Sequence, residues 1–315
     1  MRRSHAAELS DLFPYERRTV DMPGGEYAFL DEGTGPPVVM VHGNPSWSFY
    51  FRSLVAALPA AGYRALAPDH LGMGRSAKPP RREYRNTLDN RIADFTSWMD
   101  AVCPTGPVIL VVHDWGGAIA LAWAVARPER VRGLILMNTA AFPLHAGKTV
   151  PLALRAARLP LLGDVAVRYA NAFARGAATL GVRKRMPDAV RRGYLAPYDT
   201  PAHRIAVLDF VRDIPTRTTD PAHATLARTE AGLGRLADVP TIVCWGMRDF
   251  VLDQDILNRW TELLPAAEVH RFPEAGHYVL EDAAAAIVPL VLDFLAGAAP
   301  DGSVGGTAVS GAANR

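Results

Sequence analysis

The chain has 315 residues, 49% of them hydrophobic and 21% charged, with a formal net charge of +2. That length and apolar content can bury one large core without a second domain. A near-neutral balance, with no aromatic and basic repeat and no zinc-finger spacing, argues against a nucleic-acid partner. Cys103 and Cys244 are the only cysteines, each within an apolar stretch. They read as reduced, buried thiols, which points away from a disulfide framework or cysteine-based metal chemistry and towards the cytoplasm. The residues after Met1-Arg2-Arg3 lack the apolar run of a signal peptide, and no segment approaches the roughly 20 apolar residues of a membrane span, so no integral membrane segment is expected.

Short β-type runs recur at Thr19-Val20, Tyr27 to Leu30, Pro37 to Val41, Tyr63 to Leu66, Val108 to Val112, Gly133 to Met137, Thr241 to Trp245 and Val269 to Phe272. Helical patterns lie between most of the later ones. This alternation predicts an α/β fold: a mostly parallel eight-stranded sheet with helices on both faces and antiparallel strands at its start. Between about Phe142 and Arg235 the rhythm gives way to Ala, Leu and Arg-rich helical stretches broken by prolines. An insertion there would roof the ends of the strands. The expected organisation is therefore a core from 1 to 141, a helical cap from 142 to 235, the rest of the core from 236 to 297, and a disordered Gly, Ala and Ser-rich tail from 298 to 315. Within the cap, Val150 to Leu162 reads as an apolar lid helix packed on the core, with a membrane-surface role as the lesser reading.

The apolar run Val108 to Val112 is followed directly by His113-Asp114-Trp115-Gly116-Gly117 and a helical pattern from Ala118 to Arg127. This is the strand, nucleophile and helix turn of an α/β-hydrolase, with Asp114 where the better-known motif has Ser. A carboxylate nucleophile forms an ester on its own side chain and suits attack at a saturated or strained carbon. The fold needs a nucleophile, an acid and a histidine in that chain order, and Asp114, Asp249 and His277 supply them. Taken singly, Asp249 also fits a surface turn with Asp253 and Asp255 as competitors, and His277 fits a packing histidine. Three placements that agree with one template carry the triad.

His42-Gly43-Asn44-Pro45 follows the run ending at Val41. The backbone N–H groups of Asn44 and Trp115 would converge there as an oxyanion hole, although composition alone also allows an ordinary turn. Asp69 to Ser76 contains Gly-x-Gly but lacks the rest of a dinucleotide fingerprint, so it is assigned to a structural turn. No pattern asks for a metal, flavin, nicotinamide or haem, and the expected cofactor is none. The basic residues Arg183-Lys184-Arg185 and Arg191-Arg192 read as a solvated face, with docking of an acidic partner as the second reading.

On the markers His42-Gly-Asn-Pro45, Asp69 to Ser76, Val112-His-Asp-Trp-Gly116 and Ala275-Gly-His277, the chain resembles the haloalkane dehalogenase-like branch of the α/β-hydrolases from about Phe13 to Leu295. The resemblance implies that side-chain N–H groups of Asn44 and Trp115 bind the leaving group. Epoxide hydrolases share His-Asp-Trp-Gly-Gly but usually carry an aromatic residue at the place of Asn44. One dehalogenase subfamily has Glu where Asn138 stands, which leaves Asp249 as the acid here. Another takes a second Trp from the cap, yet none lies between Trp123 and Trp245. The pattern is similar to the third subfamily, which includes the β-lactone decarboxylases of bacterial long-chain olefin biosynthesis. Leu195-Ala-Pro-Tyr198-Asp199, Phe210 to Pro215 and Met137 to Phe142 resemble that group.

The implied reaction turns a long-chain cis-β-lactone into an alkene and CO2, with the attacked lactone carbon left open. The runner-up is hydrolytic dehalogenation, giving halide and an alcohol from the same residues. Epoxide hydrolysis would need cap tyrosines, with Tyr169, Tyr194 and Tyr198 as candidates, and a non-catalytic ligand sensor is the reading from another class. The expected partner is a small hydrophobic substrate. Assembly with a thiolase, a β-lactone synthetase and a reductase is implied by the resemblance alone.

Overall fold

The near-continuous apolar runs fold as the strands of an eight-stranded sheet: β1 (Arg18–Met22), β2 (Gly25–Glu32), β3 (Pro37–Val41), β4 (Arg64–Pro68), β5 (Val108–Asp114), β6 (Val131–Thr139), β7 (Thr241–Gly246) and β8 (Glu268–Phe272), in the order β1-β2-β4-β3-β5-β6-β7-β8. The computed structural model describes residues 5–144 and 150–297, so the expected tail from 298 to 315 lies outside the described residues. β1, β2 and β4 pair antiparallel, and every pairing from β4 through β3, β5, β6 and β7 to β8 is parallel. A parallel strand covered on both faces must be apolar on both, and Val108 to Val112 are all buried accordingly.

Helices α1 (His5–Leu12), α2 (Arg52–Ala57), α3 (Leu88–Val102) and α4 (Trp115–Ala126) precede the insertion. Between β6 and β7 come α5 (Leu152–Arg158), a π-helical turn over Asp164–Tyr169, α6 (Ala172–Leu180), α7 (Asp188–Leu195), α8 (Ile205–Asp213) and α9 (Pro221–Gly232). The last two helices are α10 (Gln254–Leu263) and α11 (Val279–Gly297). α9 packs against α3 and α4, whereas α5 and α8 pack on each other above the sheet. α8 is tied down by Arg81 and Asn86, which both bond Asp209, and by buried Arg91, whose guanidinium lies 3.4 Å from the Phe210 ring centroid.

The lid expected over Val150 to Leu162 is only partly packed. Leu154 and Ala157 are buried, but Leu152 and Leu161 are 78% and 81% exposed. The helix is shorter than expected: α5 has seven residues and ends at Arg158, so Leu161 falls in the turn beyond it with φ of 62°. Within α5 successive side chains are spread around the axis, and Leu152 points outward. α1 was not anticipated from the sequence, where its mixed composition gives no strong period. Its Glu8 accepts two hydrogen bonds from Arg192 of α7. Among the described residues, no helix is long and apolar enough to cross a membrane.

The sheet carries one irregularity that matters for the site. His113 pairs with Met137 and Asp114 pairs with Thr139, so Asn138 is an extra residue in β6, with φ of 33°. A bulge of this kind re-aims a side chain at a strand end. It turns Asn138 towards β7.

Candidate active site

Asp114 ends β5 and opens α4 with φ 51° and ψ −125°. A non-glycine residue held in so sparsely populated a conformation costs about 1–3 kcal/mol. The two glycines that follow let neighbouring chain segments close around it. A Cβ at Gly116 would lie 1.9 Å from the Val41 carbonyl oxygen, and one at Gly117 would lie 2.0 Å from Oγ1 of Thr139. That same Thr139 hydroxyl donates to the Asp114 carbonyl at 2.6 Å, fixing the turn from β6.

The loop after β3 supplies the facing donor. The backbone N–H of Asn44 donates to Oδ2 of Asp114 at 2.7 Å, and the backbone N–H of Trp115 also bonds this carboxylate. Two buried histidines hold the loop in place. Nδ1 of His42 lies 2.8 Å from the Gly43 carbonyl, the backbone N–H of His70 donates to Nε2 of His42 at 3.1 Å, and Nε2 of His70 lies 2.9 Å from the His42 carbonyl. Burial lowers the pKa of both rings, so each is a neutral structural brace. The Asp69 to Ser76 turn serves the same region, since Asp69 accepts the backbone N–H of Ser48 at 2.7 Å and of Arg75 at 2.8 Å.

Asp249 and His277 come from the loops after β7 and β8. Nδ1 of His277 lies 2.7 Å from Oδ2 of Asp249, and Nε2 lies 3.9 Å from Oδ1 of Asp114. Asp249 is oriented by the backbone N–H groups of Val251 and Leu252 on Oδ1, and by Nδ2 of Asn138, which donates to Oδ2 at 3.0 Å. Asn138 also pairs with both backbone groups of Gly246. Its competitor Asp253 is taken up as the N-cap of α10, where it accepts the backbone N–H of Asp255.

The loop bearing His277 is fastened by buried Asp282, which accepts the backbone N–H groups of Gly276, Arg183 and Lys184. His113 adds a bond from Nε2 to the His277 carbonyl at 2.9 Å. The sequence reading treated Asn138 only as an absent Glu and passed over Asp282. A side-chain amide next to the turn-bracing Thr139 gives no signal by itself; its role comes from the bulge.

The charges in this cluster are coupled. Burial pushes the pKa of Asp114 up, while the His277 charge and the N–H groups of Asn44 and Trp115 oppose the rise. Burial alone would lower His277, but the charge and hydrogen bond of Asp249, with the charge of Asp114 behind them, raise it to about 9. At neutral pH His277 is therefore an imidazolium facing Asp114.

Asp114 opens into two apolar cavities. The larger, about 370 Å³, lies under α5 and α6 and is also bordered by Asn44, Trp115 and His277. The smaller, about 100 Å³, lies between the start of α4 and α9. The structure thus brings Asp114, Asp249, His277, Asn44 and Trp115 together. The side-chain donor expected from Asn44 is directed elsewhere in part, since Nδ2 donates to the Val207 carbonyl of α8 at 3.1 Å. Among the described residues, none of Tyr169, Tyr194 and Tyr198 borders either cavity. Tyr194 bonds Glu281, Tyr198 is wholly buried against Ser46, and Tyr169 is exposed.

A parallel sheet with a strained residue at this strand-to-helix turn defines an α/β-hydrolase. A family model described as the alpha/beta hydrolase fold matches residues 36–284, and the chain belongs to that family. It is 43% identical to a cis-3-alkyl-4-alkyloxetan-2-one decarboxylase of Shewanella oneidensis, over 91% of this chain and 90% of that one. It is 32% identical to haloalkane dehalogenase 2 of Mycobacterium bovis, over 90% of this chain and 96% of that one. Among solved structures it is similar to the haloalkane dehalogenase DatA of Agrobacterium tumefaciens C58, with a TM-score of 0.82 and 26% identity over 92% of this chain and 99% of that chain.

Proposed function

We propose that this chain is an enzyme that decarboxylates cis-β-lactones carrying two alkyl groups, with Asp114 as nucleophile, Asp249 and His277 as its acid and histidine, and Asn44 and Trp115 as the donors. The observation that carries the reading is a carboxylate that accepts the backbone N–H groups of Asn44 and Trp115 and borders two apolar cavities. The 43% identity with an alkyl-oxetanone decarboxylase, against 32% with a dehalogenase, supports the substrate class.

The step that closes without water is attack of Oδ1 on the ring carbon bearing the ring oxygen. That carbon–oxygen bond breaks, and its electron pair passes to the freed carboxylate. The bond from the adjacent carbon to this carboxylate then breaks and releases CO2. Its electrons form the C=C bond as the ester bond to Asp114 breaks, which returns the carboxylate to Asp114. The backbone N–H groups of Asn44 and Trp115 stabilise Asp114 as it departs. Apolar walls disfavour the freed carboxylate and favour neutral CO2. His277 supplies the balancing positive charge and, through Asp249, keeps its orientation.

Hydrolytic dehalogenation is the second reading, favoured by the structural likeness to DatA. In that reaction His277 activates water once esterification has removed the Asp114 charge that helps hold its proton. Product analysis by gas chromatography separates the two. A long-chain cis-β-lactone should yield an alkene that is lost in Asp114→Ala; halide and alcohol from haloalkanes, with no alkene from lactones, would establish the dehalogenase instead.

We place the cap between Phe142 and Asp213 and count α9 with the core, because it packs on α3 and α4. A cytoplasmic location accords with two buried free cysteines. The assembly with a thiolase, a β-lactone synthetase and a reductase rests on family resemblance, and sedimentation of a mixture tests it.

A further inference from the structure

The two cavities differ in more than volume. They share a waist formed by Asp114, Trp115, Pro151, Leu154, Ile214 and Val251. Beyond it, the 370 Å³ arm runs past Gly176 and Ala177 of α6 towards Leu162, Leu180 and Phe250, which are 48%, 64% and 55% exposed. That arm leads to solvent along an apolar rim. The 100 Å³ arm is lined instead by buried Ala118, Phe142, Pro215, Leu226 and Leu252, with Ala140 and Leu144 partly exposed. A chain in the first arm can lengthen outwards. One in the second has 100 Å³ rather than 370 Å³ to fill before it presses on packed side chains, which give way only at a cost.

We propose that these arms are unequal subsites for the two alkyl substituents of one lactone ring: a permissive arm under α6 for a long chain, and a strict arm between α4 and α9 for a short one. This rests on the decarboxylase reading above. The ring reaches Asp114 only at the waist, where both arms meet, so its two substituents must diverge, one into each. Exchanging a long and a short chain between the two ring carbons then puts the long chain into the strict arm. The protein should therefore distinguish positional isomers that have identical composition and hydrophobicity.

The test uses the full chain and three cis-β-lactones: two positional isomers with one long and one short chain exchanged, and a third with two short chains. Alkene formation from one isomer should exceed that from the other by about tenfold or more in kcat/KM, the scale on which a pocket discriminates by methylene groups. Gly176→Leu narrows the permissive arm without a clash, since a Cβ there meets no atom within 4 Å, and it raises helix propensity inside α6. It should lower turnover of the favoured isomer by tenfold or more and spare the short-chain lactone. Leu226→Ala widens the strict arm and should bring the two isomers closer together. Equal kcat/KM for the isomers, with Gly176→Leu affecting all three lactones alike, would overturn the assignment while leaving the decarboxylase reading intact. Absence of alkene from every lactone would overturn both.

Discussion

Nε2 of His277 stands 3.9 Å from Oδ1 of Asp114, outside hydrogen-bond reach and inside the range of strong charge interaction. The separation follows from what holds each partner. Asp249 draws the imidazole to 2.7 Å on its other nitrogen, and Asn44 draws Asp114 to 2.7 Å on its other oxygen. The reactive oxygen is thus left unclaimed by a direct bond to His277 and next to a positive charge.

That arrangement sets a pH profile. On the proposed mechanism the competent form has Asp114 ionised and His277 protonated. Because burial raises Asp114, activity should fall on the acid side above the usual carboxylate range. It should fall again on the alkaline side as His277 loses its proton near about 9. The two limbs belong to the coupled pair rather than to either residue alone. Asp249→Asn removes the strongest attraction for that proton, so it should shift the alkaline limb downwards and reduce kcat by about 10⁴-fold. The check is kcat/KM against pH for both proteins; an alkaline limb unmoved by the substitution would contradict the assignment.

Asn138 donates to Asp249, and on the proposed mechanism it acts on the reaction through that residue. Asn138→Ala removes the donor to Asp249 and leaves the Gly246 backbone groups without their partners. Each buried group left unsatisfied costs about 1–3 kcal/mol. Denaturant unfolding should show that loss of stability, and steady-state kinetics should show a fall in kcat of about tenfold or more with KM little changed, since Asn138 touches neither cavity. A variant destabilised as expected but with wild-type kcat would reduce Asn138 to a structural role.

Asp282 couples the His277 loop to the cap. Asp282→Ala would leave the backbone N–H groups of Gly276, Arg183 and Lys184 without their acceptor. We expect a loss of about 3 kcal/mol in unfolding free energy, together with faster hydrogen exchange in both the 181–184 and 275–278 segments. Exchange confined to one segment would show that the two are not held as a unit.

The sheet was legible because parallel strands buried on both faces need continuous apolar runs. Val108 to Val112 and Thr241 to Trp245 announce themselves without neighbours. Asp114 was legible because the turn needs small residues behind it, and Gly116 and Gly117 supply them at contacts a side chain could not make. Asn138 was not, because its function depends on an extra residue in β6, and register between strands is set by pairing that one strand does not show. Asp282 was hidden for a related reason: two of its three donors lie about 100 residues earlier in the chain. The exposed Leu152 was misjudged because apolar content was read without the helical phase, and Leu161 because the helix stops at Arg158 and the chain turns before it.

In the proposed elimination Asp114 leaves the substrate with both of its own oxygens. A single turnover of a cis-β-lactone in ¹⁸O-labelled water, followed by mass spectrometry of the Asp114 peptide, tests it directly. Decarboxylative elimination predicts alkene and an unlabelled Asp114, because the ester bond breaks at the substrate carbon. Label in the Asp114 carboxylate, with a hydroxy acid in place of alkene, would show that water activated by His277 cleaves the ester and would contradict the account.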